Sequence, residues 1–190
     1  MRNKQGLMIT KSFIVFGVLT KITNNQILTI MEQEPILNEH NKQEYPPMHT
    51  AEHILNQTMV RMFGCPRSRN AHIERKKSKC DYLLASPPDA DMVTTIEANV
   101  NAVIAQSLPV TVEYVDRQHV PDTVDLSKLP DDASETLRLV RIGDYDICAC
   151  AGTHVGNTAE VGTFKIISHD WTPATEGSSL GTWRVRFKLV

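Results

Sequence analysis

The sequence predicts an α+β protein in which helices pack on a curved antiparallel sheet, with a zinc site at the helix–sheet junction. Three observations lead there. Two segments repeat apolar residues at helical spacing, and the strand-like segments are grouped around them instead of alternating strictly with them. Two short pairs of metal-binding residue types, His49 with His53 and Cys150 with His154, share the same three-residue gap although they lie far apart in the chain.

Along the chain, residues 1–47 read as an N-terminal extension and linker, and 48–190 as the functional domain. The run SFIVFGVLT (12–20) after a basic start imitates a signal peptide, but Lys21 interrupts it and no small-x-small cleavage site follows. It is also far short of the roughly 20 apolar residues that span a bilayer. Residues 1–30 are therefore read as an appendage, either an extra strand and hairpin or sequence upstream of a start at Met31. The polar, proline-bearing stretch 32–47 leads into the first helix.

That helix is placed by Met48, Ala51, Leu55, Met59 and Met62 at helical spacing, by the two prolines before them, and by Gly64 in the position of a C-terminal cap. Segments 71–74 and 79–85 read as a hairpin closed by Pro87 and Pro88, with Tyr82 and Leu84 on one face. Met92, Ile96, Val100, Val103 and Ile104 define a second helix over 91–107, stopped by Pro109. Strands follow at 110–115 and 137–142, separated by a loop over 119–134. In an extended 145–150, Asp146, Cys148 and Cys150 share a face, because side chains in a strand repeat every second residue. Strands at 161–168 and 182–189 complete the antiparallel sheet.

On a helix, His49 and His53 are i, i+4 neighbours, so both imidazoles reach toward one ion. Three nitrogens and one thiolate suit zinc, whereas magnesium and calcium want oxygen ligands. On spacing alone, capped or core histidines beside a buried thiol remain the alternative. His72, His119 and His169 read as surface or satisfied histidines, Trp171 and Trp183 as core or interface aromatics, and Cys65 and Cys80 have no metal spacing.

The chain has 190 residues and a formal net charge of −2, which argues against an indiscriminate nucleic-acid coat. The charge is uneven: Arg61, Arg67, Arg69, Arg75, Lys76, Lys77 and Lys79 crowd the segment after the first helix, and acidic residues dominate 116–146. Either run reads as a solvated face, and the basic one also as a phosphate-binding segment. Four cysteines without a secretory context point to a reducing, cytoplasmic compartment.

The strings HTAEHILN (49–56), KSKCDY (77–82), CAGTHVGNTAEVGTFKI (150–166) and GTWRVRF (181–187) fall in the order found in one family. Over about 48–190 the sequence resembles the editing domain shared by alanyl-tRNA and threonyl-tRNA synthetases, and in particular its free-standing AlaX-type relatives. The resemblance implies zinc on His49, His53, Cys150 and His154, and tRNA, held at its acceptor end, as partner. It implies an aminoacyl-tRNA deacylase that removes a wrong amino acid through a zinc-bound water, with Ser-tRNA(Ala) the first substrate expected and Gly-tRNA(Ala) the next. Most alanyl-type members read CGGTH at the second pair, where this chain has Ala151, and many have Thr or Ala where it has Glu52.

Within that expectation Gly152, Thr153 and nearby backbone amides are candidates for oxyanion stabilisation, and Arg75, Lys76 and Lys77 for holding tRNA phosphates. Glu52 is a candidate general base, one turn from His49 and adjacent to His53. It also completes H-x-x-E-H, the inverted zinc-peptidase motif. A zinc peptidase and a zinc-stabilised RNA-binding module without turnover are the two other readings. The first lacks a carboxylate third ligand, which Cys150 and His154 replace.

Overall fold

The computed structural model describes the backbone of residues 12–15, 18–23 and 26–31, and residues 45–126, 129 and 135–190. Most of the expected linker, and the acidic residues Asp131 and Asp132, lie outside the described residues. The chain divides into two compact units, Met1–Leu37 and Asn38–Val190. In the first, strands β1 (Ser12–Val15), β2 (Val18–Thr23) and β3 (Gln26–Met31) form an antiparallel sheet in chain order. Among the described residues no helix is long and apolar enough to cross a membrane.

The second unit begins with α1 (Pro46–Phe63), whose prolines occupy the first positions, where a missing N–H leaves no bond unmade. It ends at Gly64, which takes the left-handed conformation (φ 62°) and returns its N–H to the Val60 carbonyl, the conformation glycine adopts without steric cost. After β4 (Asn70–His72) and β5 (Ser78–Leu84) comes α2 (Ala90–Ala105), capped by Asp89, whose Oδ1 accepts the Met92 N–H at 2.8 Å. The chain continues through β6 (Val110–Asp116), β7 (Thr136–Ile142), β8 (Asp146–Ala149), β9 (Phe164–Thr172) and β10 (Gly181–Leu189).

These strands form two antiparallel sheets, where the sequence led us to expect one. The first has the order β4-β5-β10-β9 and the second β6-β7-β8. The division falls where the chain leaves β8 through the irregular stretch that holds Cys150 and His154. Beyond it, β9 pairs with β10, and β10 with β5. Which strand each would choose is a long-range matter that local alternation does not encode.

The core lies between the helices and the first sheet. Met48, Ala51, Ile54, Leu55 and Met59 of α1 join Ile96, Val100, Val103 and Ile104 of α2, with Tyr82, Phe164, Trp183, Val185 and Phe187 from the sheet. Along β10, buried Trp183, Val185 and Phe187 alternate with Arg184, Arg186 and Lys188. Each fully buried large side chain contributes about 1.5–3 kcal/mol, which fixes the register of β10 and so the floor under α1. The second sheet sends Val140 and Ile142 into the same core, while Leu137 and Leu139 pack with Val124 in a smaller cluster. Helix α1 also touches β8, and that contact brings the two His/Cys segments together.

Candidate metal centre

His49, His53, Cys150 and His154 each offer one ligand atom, and the four atoms lie within 4.8 Å of one another. The ring centroids of the three histidines are 4.2 to 5.2 Å apart. Cys150 Sγ stands 3.4 Å from His49 Nε2 and 3.6 Å from His154 Nε2. With Zn–N near 2.0–2.1 Å and Zn–S near 2.3 Å, a tetrahedral ion separates nitrogen from sulfur by about 3.6 Å. The donor set and its spacing therefore fit zinc.

The groups around these four side chains orient them. His53 is 3 % exposed, and its Nδ1 stands 3.4 Å from Asp146 Oδ2, an ion-pair approach rather than an aligned hydrogen bond; this leaves Nε2 for the group. Asp146 is in turn gripped by both terminal nitrogens of Arg67, at 2.6 and 3.2 Å. Thr50, fully buried on α1, sits 3.1 Å from His154 Nδ1 and accepts the Val155 N–H at 3.3 Å, tying the loop to the helix. Metal-binding histidines commonly have their second ring nitrogen held in this way, which fixes the ring and its tautomer.

The electrostatics suit a cation. Burial opposes a charged thiolate, yet hydrogen bonds from His154, His49 and His53 hold Cys150 down to about 2. Burial likewise opposes a charged His53, but Asp146, Cys150 and Glu52 raise it to about 10. Burial, helped by repulsion from His53 and His49, lowers His154 to about 4 despite Cys150. The metal-free group thus favours a thiolate at Cys150 and a neutral imidazole at His154, the forms a metal requires, while His49 and His53 are both pushed toward the protonated form that a metal would displace.

Cys150 and His154 sit on an irregular loop that β7 clamps. Arg138 donates through Nη1 to the carbonyls of Cys150 (2.6 Å) and Gly152 (2.9 Å). In a trans peptide the N–H points opposite to the C=O, so the amides of Ala151 and Thr153 are turned away from Arg138. Gly152 is buried and Thr153 exposed.

Glu52 is 8 % exposed and lies on the rim of the group, with Oε2 3.9 Å from His53 Nε2. Its Oε1 accepts from Asn56 Nδ2. Arg75, Lys76 and Lys77 are exposed in the turn between β4 and β5, with the Arg75 guanidinium 5.1 Å over the ring of Tyr45, the residue preceding α1. The rest of the basic segment divides. Arg67 is half-buried against Asp146, and Arg61 lies over the Tyr145 ring at 4.1 Å and donates to the Tyr145 carbonyl. His72 pairs with Glu74, and Trp183 is buried in the core.

Sequence reasoning placed Asp146 on the face of Cys150 but did not give it a role. It missed Arg67, Thr50 and Arg138. The i, i+2, i+4 relation was the signal for Asp146, whereas the other three had none, since each acts through a contact between distant segments.

Taken together, this is an α+β domain that gathers three imidazoles and one thiolate into a group able to hold a metal. Residues 137–186 match the threonyl and alanyl tRNA synthetase second additional domain. The chain is 31% identical over 140 residues to the alanyl-tRNA editing protein AlaX-L of Pyrococcus horikoshii, covering 74% of this chain and 32% of that protein. It is 31% identical to the alanine–tRNA ligase of Caldicellulosiruptor saccharolyticus and 32% to that of Ligilactobacillus salivarius, in each case over 63% of this chain and 14% of the ligase. The chain thus spans about a third of the editing protein and about a seventh of each ligase. It is thus similar in sequence to the alanyl-tRNA editing proteins and to part of the alanine–tRNA ligases.

Proposed function

We propose that this protein hydrolyses the ester of mischarged aminoacyl-tRNA in trans, acting first on Ser-tRNA(Ala) and next on Gly-tRNA(Ala), in the cytoplasm. The observation that carries this reading is the convergence of His49 and His53 from α1 with Cys150 and His154 from the clamped loop, in a chain related to editing proteins. The working domain is residues 48–190, with 1–47 as extension and linker.

Zinc is the cofactor proposed, held by those four residues, and when bound it supplies a Lewis acid that polarises the ester carbonyl and acidifies water. The remaining work belongs to the chain. Asp146 and Thr50 keep the imidazoles of His53 and His154 aimed at the group. The amides turned away from Arg138, at Ala151 and Thr153, are the donors for charge developing on the ester oxygen, with Gly152 giving the close approach. Arg75, Lys76 and Lys77 hold phosphates of the acceptor end. The ester is labile, so positioning and charge stabilisation suffice. Such an activity is useful because a synthetic pocket discriminates weakly between side chains differing by one small group.

The test is deacylation of Ser-tRNA(Ala), Gly-tRNA(Ala) and Ala-tRNA(Ala) by zinc-loaded protein, with and without chelator. The reading expects turnover of the first two, little of the third, and loss on chelation. Zinc-replete protein that binds tRNA without releasing amino acid would be a binding module instead.

A further inference from the structure

Glu52 is a buried acid that the orientation of the metal ligands does not use. Its Oε1 accepts from Asn56, and Asn56 is itself fixed, its Oδ1 accepting the Ser68 N–H at 2.9 Å and the Tyr82 hydroxyl at 3.1 Å. Asn56, Ser68 and Tyr82 are each at most 2 % exposed, so the carboxylate is mounted on a rigid polar network. The other oxygen, Oε2, lies beside His53 Nε2, at the edge of the four-residue group. The neighbouring acid, Asp146, is already gripped by Arg67 and faces His53. Glu52 therefore presents a preorganised carboxyl oxygen to whatever sits beside the group.

The substrate class proposed above carries its own cation there. An aminoacyl ester has its α-amino group one carbon from the carbonyl that reacts; α-amino groups titrate near 7.7–8.0, and although the ester draws this one somewhat lower, a large share of it is an ammonium at neutral pH. Bringing an ammonium into a partly buried site beside a metal cation is costly without an anionic partner. We propose that Glu52 Oε2 receives the substrate's α-ammonium, making Glu52 a residue that selects amino-acid esters and positions their carbonyl against the group. This inference rests on the deacylase reading.

The experiment compares seryl-tRNA(Ala) with its 2-hydroxy analogue, in which a neutral hydroxyl replaces the amine, using wild type and Glu52→Gln, with zinc content measured for both proteins. In wild type kcat/KM should favour the amine by roughly 10- to 100-fold, the range expected of a hydrogen bond to a charged group. Glu52→Gln should remove that preference, lowering the amine substrate's rate while leaving that of the hydroxy analogue within about threefold. Calorimetry with 3′-seryl-amino-3′-deoxyadenosine and its 2-hydroxy counterpart should give the same pattern in binding without turnover. An equal fall on both substrates would make Glu52 a base acting on water and overturn the proposal, as would no change on either. If the variant fails to fold or loses zinc, the wild type decides alone, and equal kcat/KM for amine and hydroxyl overturns the idea. Turnover of neither substrate by zinc-loaded wild type would instead remove the deacylase reading, and the inference with it.

Discussion

The two halves of the candidate metal centre are built in opposite ways. His49 and His53 are placed by the repeat of one helix, whose far side is anchored by Met48, Ile54, Leu55 and Met59 in the core. Cys150 and His154 lie on a loop with no repeat of its own, held by Arg138 through two carbonyls and by Thr50 through His154 and Val155. A ligand pair on a helix draws its geometry from the backbone, whereas a pair on a loop depends on side chains sent from elsewhere. The halves meet at His53, Asp146 and Arg67, where the helix half leans on β8 and on the segment after α1.

That junction gives the largest expected effect. Removing Arg67 by Ala leaves Asp146, whose side chain is 1 % exposed, as a buried charge facing His53; the protonated imidazole offsets part of the about 3–5 kcal/mol that breaking a buried pair costs, so a loss of about 1–3 kcal/mol is expected. Urea denaturation of the metal-free protein should show a loss of that size. A loss below about 1 kcal/mol would mean the pair is solvated in practice.

Asp146→Asn comes next. It keeps the shape but withdraws the charge facing His53, and outer-sphere changes of this kind typically lower metal affinity 10- to 100-fold. Competition with a calibrated chelator reads the change directly. The same residue sets an acid limit. Burial would raise the Asp146 carboxyl, but His53 and Arg67 overrule it and hold it below its ordinary value. A depressed carboxylate contributes stability that is present above its unfolded value, near 3.9, and lost as pH falls through the folded one. Metal-free wild type should lose stability below about pH 4, and Asp146→Asn should flatten that part of the profile.

Arg138→Ala separates the halves themselves. It frees the carbonyls of Cys150 and Gly152 without touching α1, so the loop pair should bind metal less tightly and the amides of Ala151 and Thr153 should lose their direction. A fall in kcat of about 10- to 100-fold, larger than the accompanying fall in zinc content, would fit a contact made in the transition state. Equal behaviour to wild type would show that the loop holds itself.

The first helix, its glycine end and the hairpin after it were legible in the sequence because each is specified by neighbours within one or two turns. So was the grouping of four metal-binding residue types, since both pairs carry their own spacing. The basic run was legible only as charge. Arg67 and Arg75 look alike in sequence, yet one is half-buried and paired with Asp146 while the other is exposed over Tyr45. Likewise Arg184 and Arg186, basic positions on β10, are paired with Asp81 and Asp170. The division into two sheets and the clamp from Arg138 arise from long-range pairing, which no local pattern carries.

The smallest expected effects lie farthest from the junction. Replacing Arg75, Lys76 and Lys77 together by Ala should raise KM for mischarged tRNA and flatten its salt dependence, with kcat and zinc content nearly unchanged. An unaltered KM and salt response would make that turn a solvated face. Deleting residues 1–30 should leave a folded, zinc-loaded domain with its cooperative thermal transition, and aggregation would place that segment in the core.

The most direct test is elemental analysis of purified wild type beside His53→Ala and Cys150→Ala, one variant from each half. Joint ligation predicts about one zinc per chain in wild type and loss of most of it in both variants, because a site that has lost one of four ligands binds far more weakly. Zinc content unchanged in both would contradict a centre shared between the helix and the loop.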